Sequence, residues 1–210
     1  MGKVIADGEN VVFAEGIPDS PRVIFDLVSQ TLGDQRKAIV KFEVDQIDCL
    51  LDGKFPDSFK SIMISTMLHD EIILRISTQL LDQMNELENN LKAYQGNILS
   101  IAWSEVFKQM DQFINEIQPF ADLIDNVAPY VQAYSPPWAD KFTCIARDQA
   151  DYLNLVLRSF EMRDPAGLSQ CVGGKLVPLC KSTHSLFANE IIPYLKRITE
   201  EVNADLSNDA

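Results

Sequence analysis

The stretch Ser61-Ile62-Met63-Ile64-Ser65-Thr66-Met67-Leu68-His69-Asp70-Glu71-Ile72 contains a change of period. Up to Thr66 the pattern alternates, and Ile62 and Ile64 share one face of a strand because successive side chains point to opposite sides. From Leu68 the apolar residues step by four and three. Leu68, Ile72, Ile76, Leu80, Met84, Leu87, Leu91 and Tyr94 form the stripe of a long amphipathic helix. Thr66 fits as its N-cap, and Asp70 and Glu71 suit the positive end of the helix dipole. The boundary therefore falls at Met67-Leu68, with an α+β domain over residues 1–67 and a helical domain over 68–210.

Upstream of the switch, Lys3 to Ala6 and Asn10 to Ala14 are β-prone runs on either side of Asp7-Gly8-Glu9. Asp-Gly in that place signals a hairpin, since Gly8 accepts positive φ without penalty. Ser20-Pro21 has the order of an N-cap followed by proline at the first helical position. Ile24, Leu27, Val28 and Leu32 keep a helical stripe, and Gly33 is placed to stop that helix. Val40, Phe42 and Val44 then alternate with Lys41 and Glu43 as a half-buried strand. Asp45-Gln46 turns the chain toward a short strand around Ile47 to Leu51, and Ser61 to Thr66 is the last. This order, β-β-α-β-β-β, resembles the ubiquitin-like β-grasp fold, with Asp7-Gly8 and Ser20-Pro21 as its local marks. The resemblance implies a mixed sheet crossed by one helix. It implies no activity, because folds of this shape host many functions. No diglycine ends the chain after the last strand, so conjugation of the ubiquitin kind is not implied.

Downstream, Gly96-Asn97 is predicted to break the first long helix. A second run carries Ile101, Val106, Met110, Phe113 and Ile117 and extends through Phe120, Ile124, Val127 and Tyr134. A third, after Ser135-Pro136-Pro137, carries Trp138, Phe142, Ile145, Tyr152, Val156 and Phe160. A fourth opens at Asp164-Pro165 and carries Leu168, Val172, Leu176, Leu179, Phe187, Ile191, Leu195, Ile198 and Val202. Short connections favour antiparallel neighbours, so the expectation is a mostly antiparallel helical bundle of about four helices. Pro119, Pro129, Pro178 and Pro193 fall inside these runs, and the pattern leaves open whether they kink or break them. No internal repeat stands out.

The chain has 210 residues, of which 46% are hydrophobic, and its net charge is −13. The apolar fraction excludes wholesale disorder, and no run approaches the roughly 20 apolar residues of a membrane span. The first residues also lack the apolar stretch of a signal peptide. Acid is spread along the chain without a block of five like charges. Such a surface repels phosphate backbones and anionic membranes. It serves solubility, or it recruits a basic partner. The cysteines Cys49, Cys144, Cys171 and Cys180 form no C-x-x-C pair and are expected to be reduced, mostly buried thiols of a cytoplasmic protein.

Each candidate chemistry has a plainer structural reading. His69 and His184 are the only histidines, and neither belongs to an H-E-x-x-H or E-x-x-H motif. His69 reads as a surface residue. Cys180 and His184 are spaced to touch on one helix face, but Cys180 lies on an apolar stripe, where a buried thiol is expected rather than a nucleophile. Gly173-Gly174-Lys175 lacks the rest of a phosphate loop and reads as a bend. Asp122 with Asp125, and Asp148 with Asp151, read as solvated helix faces. Trp103, Phe107, Phe113, Trp138, Phe142 and Phe160 read as core. Gln149 occupies a stripe position between Ile145 and Tyr152. A modest rotation of the helix would leave it exposed, the reading preferred here, whereas a buried amide would need partners.

The sequence therefore points to no catalytic, cofactor-binding or metal-binding residues and to no cofactor. The expected function is that of a non-catalytic protein-interaction or scaffold protein, with a protein partner or a homo-oligomer and with neither nucleic acid nor membrane. The alternatives are an acidic chaperone for an aggregation-prone secretion or flagellar client, and a small-molecule binder or enzyme without a recognisable motif. The candidate contact is the hairpin's second strand, where Val11, Val12 and Phe13 would lie at a sheet edge able to accept another chain.

Overall fold

The computed structural model describes residues 2–51 and 53–208, with side chains through residue 202. The chain is α+β and divides into two compact units, Met1–Ile72 and Ile73–Ala210.

The first unit holds a five-stranded sheet built from β1 (Lys3–Ala6), β2 (Glu9–Asn10), β3 (Lys37–Val44), β4 (Ile47–Asp48) and β5 (Ser61–Leu68), in the order β2-β1-β5-β3-β4. β1 runs parallel to β5, with Val4 opposite Ile62 and Ala6 opposite Ile64. β3 runs antiparallel to β5, with Phe42 opposite Ile64 and Val44 opposite Ile62. One helix, α1 (Pro21–Asp34), packs its Ile24 and Val28 with the inward residues Val4, Phe42, Val44, Ile62 and Ile64. Phe25, Phe42 and Phe55 close this core, with ring centroids 5.4 to 5.6 Å apart.

Several details differ from the sequence expectation. α1 passes through Gly33 and is stopped by Arg36, which takes the left-handed conformation at φ 58 and donates its N–H to the Gly33 carbonyl. β3 carries a bulge between Ile39 and Lys41. The extra residue reverses the alternation, so Val40 turns outward at 40% exposure and Ile39 packs against the core in its stead. Thr66 is not a helix cap. It lies within β5, and its backbone N–H and hydroxyl both donate to the Asp7 carboxylate.

That last contact has a counterpart at the other end of β5. Asp45, like Asp7, sits in a tight turn with positive φ, and its carboxylate accepts from the backbone N–H groups of Lys60 and Ser61 at 2.8 to 3.2 Å. Two turn aspartates thus hold the two ends of the central strand. The Ser61 N–H foremost, and then that of Lys60, hold the Asp45 carboxyl below the usual carboxylate range. A group whose pKa is lower in the folded than in the unfolded chain stabilises the fold above its unfolded pKa, and that contribution fades as pH falls through the folded value. Asp45→Asn is therefore expected to lower the urea midpoint of the first unit at neutral pH. The gap from wild type should narrow below about pH 4, where an unfolded aspartate itself takes up its proton. A gap that does not change with pH would show that the carboxylate charge is irrelevant.

The second unit is built from helices. α2 (His69–Ile98) begins in the first unit and continues without a break through Gly96. Then come α3 (Trp103–Lys108), α4 (Met110–Tyr134) and α5 (Ala139–Glu161). α6 (Pro165–Cys171), α7 (Val177–Leu186) and α8 (Ile192–Asn208) follow as one helical run, joined through two π-turns at Val172–Leu176 and Phe187–Ile191. Asp164 caps this run by accepting from the Gly167 N–H at 2.9 Å. A single core joins Leu91, Leu123, Phe142, Leu168, Leu176, Phe187 and Leu195, all nearly fully buried.

None of the four prolines ends its helix. Pro119 and Pro129 sit inside α4. Pro178 and Pro193 each lie two residues beyond a π-turn, in which Val177 N–H reaches back to the Val172 carbonyl and Ile192 N–H to that of Phe187. The segments Cys171-Val172-Gly173-Gly174-Lys175-Leu176-Val177-Pro178 and Leu186-Phe187-Ala188-Asn189-Glu190-Ile191-Ile192-Pro193 repeat the same burial pattern position by position. The chain therefore does carry an internal recurrence. Burial class repeats in it while residue identity repeats only at the closing proline, which hides it from inspection of the sequence.

Candidate functional site

A groove runs between α2 and α4 of the helical unit. One end encloses about 260 Å³ over Met84, Leu87, Phe120 and Leu123, rimmed by Gln83, Glu86, Asn90, Asn115 and Glu116. From Asn90 and Glu116 it continues into a second hollow of about 180 Å³, bounded by Tyr94, Phe113, Asn97, Gln109 and Gln112. The floor is the apolar stripe of α2 meeting that of α4, and Tyr94 and Phe113 meet there with ring centroids 5.1 Å apart. The rim is amide and carboxylate. Gln83, Asn90 and Asn97 recur every seventh residue along α2, which places them in one column beside the stripe.

Three features set this groove apart. Its described lining contains two carboxylates and no lysine or arginine. Tyr94 is 9% exposed and its buried hydroxyl has no hydrogen-bond partner, although buried polar groups are nearly always paired. Burial pushes the Tyr94 phenol up to about 12, so it keeps its proton at neutral pH and can donate as well as accept. Finally, Pro119 has no N–H to offer the carbonyl four residues back, that of Asn115, and both residues line the groove.

Other hollows lie elsewhere on the helical unit. A wide, shallow depression of about 610 Å³ lies beside Cys144 and is spanned by the Lys141–Glu190 ion pair at 2.6 Å. A third hollow, of about 360 Å³, is bordered by Arg158, Lys175 and the capping Asp164.

Val11, Val12 and Phe13 lie just beyond β2, which ends at Asn10 and forms one edge of the sheet. Val11 N–H still donates to the Val4 carbonyl at 3.0 Å, and Phe13 O accepts from Gly16 N–H, which turns the chain out of the sheet. Val11 and Phe13 pack against the small core, while Val12 is 90% exposed. The three residues therefore form no continuous strand edge.

Cys180 is fully buried, and burial foremost, with Glu88 adding to it, pushes its thiol up to about 12. No hydrogen bond links it to His184 among the described residues. Gly173-Gly174-Lys175 lies within the first π-turn, where Lys175 Nζ sits 5.1 Å from the Tyr152 ring centroid. His69 is half-buried rather than a surface residue, and its neighbour Asp70 is buried against Arg36 at 3.0 Å. Gln149 is buried, not exposed, and its Nε2 lacks a partner. Phe107 is half-exposed, so it is not a core residue as expected. Among the described residues no cluster of histidine, cysteine, aspartate and glutamate has the arrangement of a metal site, and no helix is long and apolar enough to cross a membrane.

The sequence reading missed the groove because Tyr94 and Phe113 were accounted for as core. The seven-residue spacing of Gln83, Asn90 and Asn97 was the signal available. Compared with known proteins, the chain matches no protein family, no curated protein and no solved structure.

Proposed function

We propose that this chain is a non-catalytic protein-interaction or scaffold protein whose partner contact is the α2/α4 groove. The observation that carries the reading is the groove itself, an open channel with an apolar floor and a hydrogen-bonding rim. That combination suits a peptide segment, which brings both apolar side chains and unsatisfied polar groups. Cys180 is not the nucleophile its spacing from His184 would suggest, because burial pushes its thiol up and keeps it protonated at neutral pH.

In this reading the N-terminal domain, residues 1–67, is a ubiquitin-like β-grasp unit. The parallel pairing of β1 with β5, the hairpin at β1–β2 and the single helix on the sheet support it. The remaining residues, 68–210, form a mostly antiparallel bundle of about four helices, counting the run from Pro165 as one and leaving the six-residue α3 aside. The acidic chaperone for an aggregation-prone client is the second reading, and the net charge of −13 and the long amphipathic helices α2 and α4 favour it.

The test is site-specific photocrosslinking in the protein's own cells. A benzophenone amino acid at Gln83 or Gln112 is expected to trap discrete partner adducts that the same group at Glu161, exposed on α5, does not. Identical adducts at all three positions, or none at the groove positions, would remove the proposal.

A further inference from the structure

We infer that the open edge of β3 takes an extended segment of a partner protein as an added strand, and that the segment is acidic at its ends and apolar between them. This surface belongs to the first unit and is separate from the α2/α4 groove, so it stands or falls apart from that reading.

The edge follows from the pairing. β4 closes one side of the sheet, but it pairs only with Glu43 and Val44 of β3. Past β4, the Cys49 N–H still donates to the Phe42 carbonyl at 2.8 Å. The Leu50 N–H then turns to the Asp48 carboxylate at 2.9 Å, and the line of β4 ends. Lys37 to Lys41 therefore have β5 on one side and no strand on the other.

The direction of their backbone groups can be counted. His69 N–H donates to the Arg36 carbonyl at 2.8 Å, so Arg36 faces the β5 line. Antiparallel pairing turns successive residues to opposite sides. Ala38 accordingly faces β5, while Lys37 and Ile39 face outward. Counted back from Phe42, which faces β4, the same alternation holds once the bulge at Val40 takes up the odd residue. Among the described residues, no backbone group outside the sheet bonds Lys37 or Ile39. Their N–H groups and carbonyls thus stand in a row along the edge, and a row of that kind is the template for another strand.

The side chains select the occupant. The open stretch Lys37-Ala38-Ile39-Val40-Lys41 holds two lysines and no carboxylate, on a chain whose net charge is −13. Glu43 engages Lys41 at 2.8 Å, while Lys37 has no ion pair among the described residues. Val40, between the lysines, is 40% exposed, and Ile47 and Leu51, on either side of the point where β4 ends, are largely exposed. Carboxylates flanking a short apolar run are the complement of this surface. Lysines and bulges are also devices by which edges avoid one another, and here they disfavour a second copy. Antiparallel self-pairing centred on Ile39 would set Lys37 of each copy opposite Lys41 of the other, and like charges in that position are destabilising. The open stretch extends about 17 Å, which about five or six residues of strand fill.

The test titrates the full chain into fluorescein-labelled peptides of about 12 residues, long enough to overrun the edge at both ends. The parent peptide has a Val/Thr core with two glutamates at each end. Its companions are a lysine-flanked version, a polyglutamate of the same length, and two versions N-methylated at alternate core residues, one on each phase. The parent is expected to bind at least about tenfold more tightly than the lysine-flanked peptide and the polyglutamate. One methylated phase should lose about tenfold or more and the other should stay within about threefold, because only one set of peptide N–H groups faces β3. Lys37→Glu combined with Lys41→Glu should weaken the parent by about tenfold or more. Lys196→Glu combined with Arg197→Glu, the same charge change on α8, should stay within about twofold. Amide exchange gives the direct readout on the unaltered chain. The Ile39 amide should exchange fast when free and slow by about tenfold or more with the parent bound, while the Ala38 amide, paired to β5, is slow throughout.

Equal behaviour of the two methylated phases, polyglutamate binding as tightly as the parent, or an equal loss from the charge reversals on α8 would reduce the effect to bulk electrostatics and overturn the inference. An Ile39 amide already slow in the free chain would show the edge to be covered, by a second copy if sedimentation gives a dimer, and would overturn it too. Neither outcome bears on crosslinking at the α2/α4 groove.

Discussion

Replacing Phe42 with alanine is expected to remove about 3–5 kcal/mol from the first unit, a large share of what holds it folded. Phe42 has no exposed surface and stands where the sheet, α1 and the loop carrying Phe55 converge. Its ring contacts those of Phe25 and Phe55 edge-on, so deletion loses transfer energy, aromatic contacts and packing together. A unit of this size has a total stability on the order of 4–11 kcal/mol. Because Phe42 belongs to a core cluster separate from that of the helical unit, the loss should be local. Hydrogen exchange should show protection lost from β1, β3 and β5 while amides of α4 and α5 keep theirs. Phe42→Leu, which refills most of the volume, should cost far less. Uniform loss of protection across α4 and α5 would show that the two cores do not unfold separately.

How far the sequence predicted the fold depended on whether a local rule was left undisturbed. The switch of period near Met67 was legible because alternation and a four-three step cannot be satisfied by the same backbone. The Asp7-Gly8 hairpin and the Asp164 cap were legible because each depends on residues within four positions. Val40 was misplaced because a bulge is a pairing event between two strands, and nothing within β3 announces it. Thr66 was misread as a cap because its partner, Asp7, is far away in the chain. Asp70 carries a helix-dipole signal that is local, whereas its burial against Arg36 is tertiary. The groove failed for the same reason. An apolar stripe identifies the buried face of one helix, but not where two such stripes part enough to leave a channel or strand the Tyr94 hydroxyl.

Deleting Gly174 is expected to destabilise the helical unit by about 3 kcal/mol, and Pro178→Ala is expected to restore most of that loss. Val172 and Phe187, which open the two π-turns, are fifteen positions apart and equally buried. Two heptads are about 14 residues, the spacing that keeps a core stripe on one side of a helix. The fifteenth residue must be absorbed, and a π-turn absorbs one by letting an N–H reach five residues back, as Val177 does to Val172. Handing the ladder back to its ordinary step leaves a carbonyl short of a donor, and a proline at that step lacks only an N–H that has the least to bond. Gly174, Asn189, Pro178 and Pro193 all face solvent, where water serves the carbonyls. Proline does not create the turn, since Pro119 and Pro129 sit in α4 without one. Removing Gly174 closes the π-turn, leaves the downstream stripe in register and puts Pro178 into an unbroken α ladder against the carbonyl four residues back. Pro178→Ala alone should change little, so the two changes are strongly non-additive in a urea double-mutant cycle. A deletion that costs the same with alanine as with proline at 178 would mean that the π-turn serves something other than the extra residue, with the close seat of Gly173 on the Gln95 side chain as the remaining candidate.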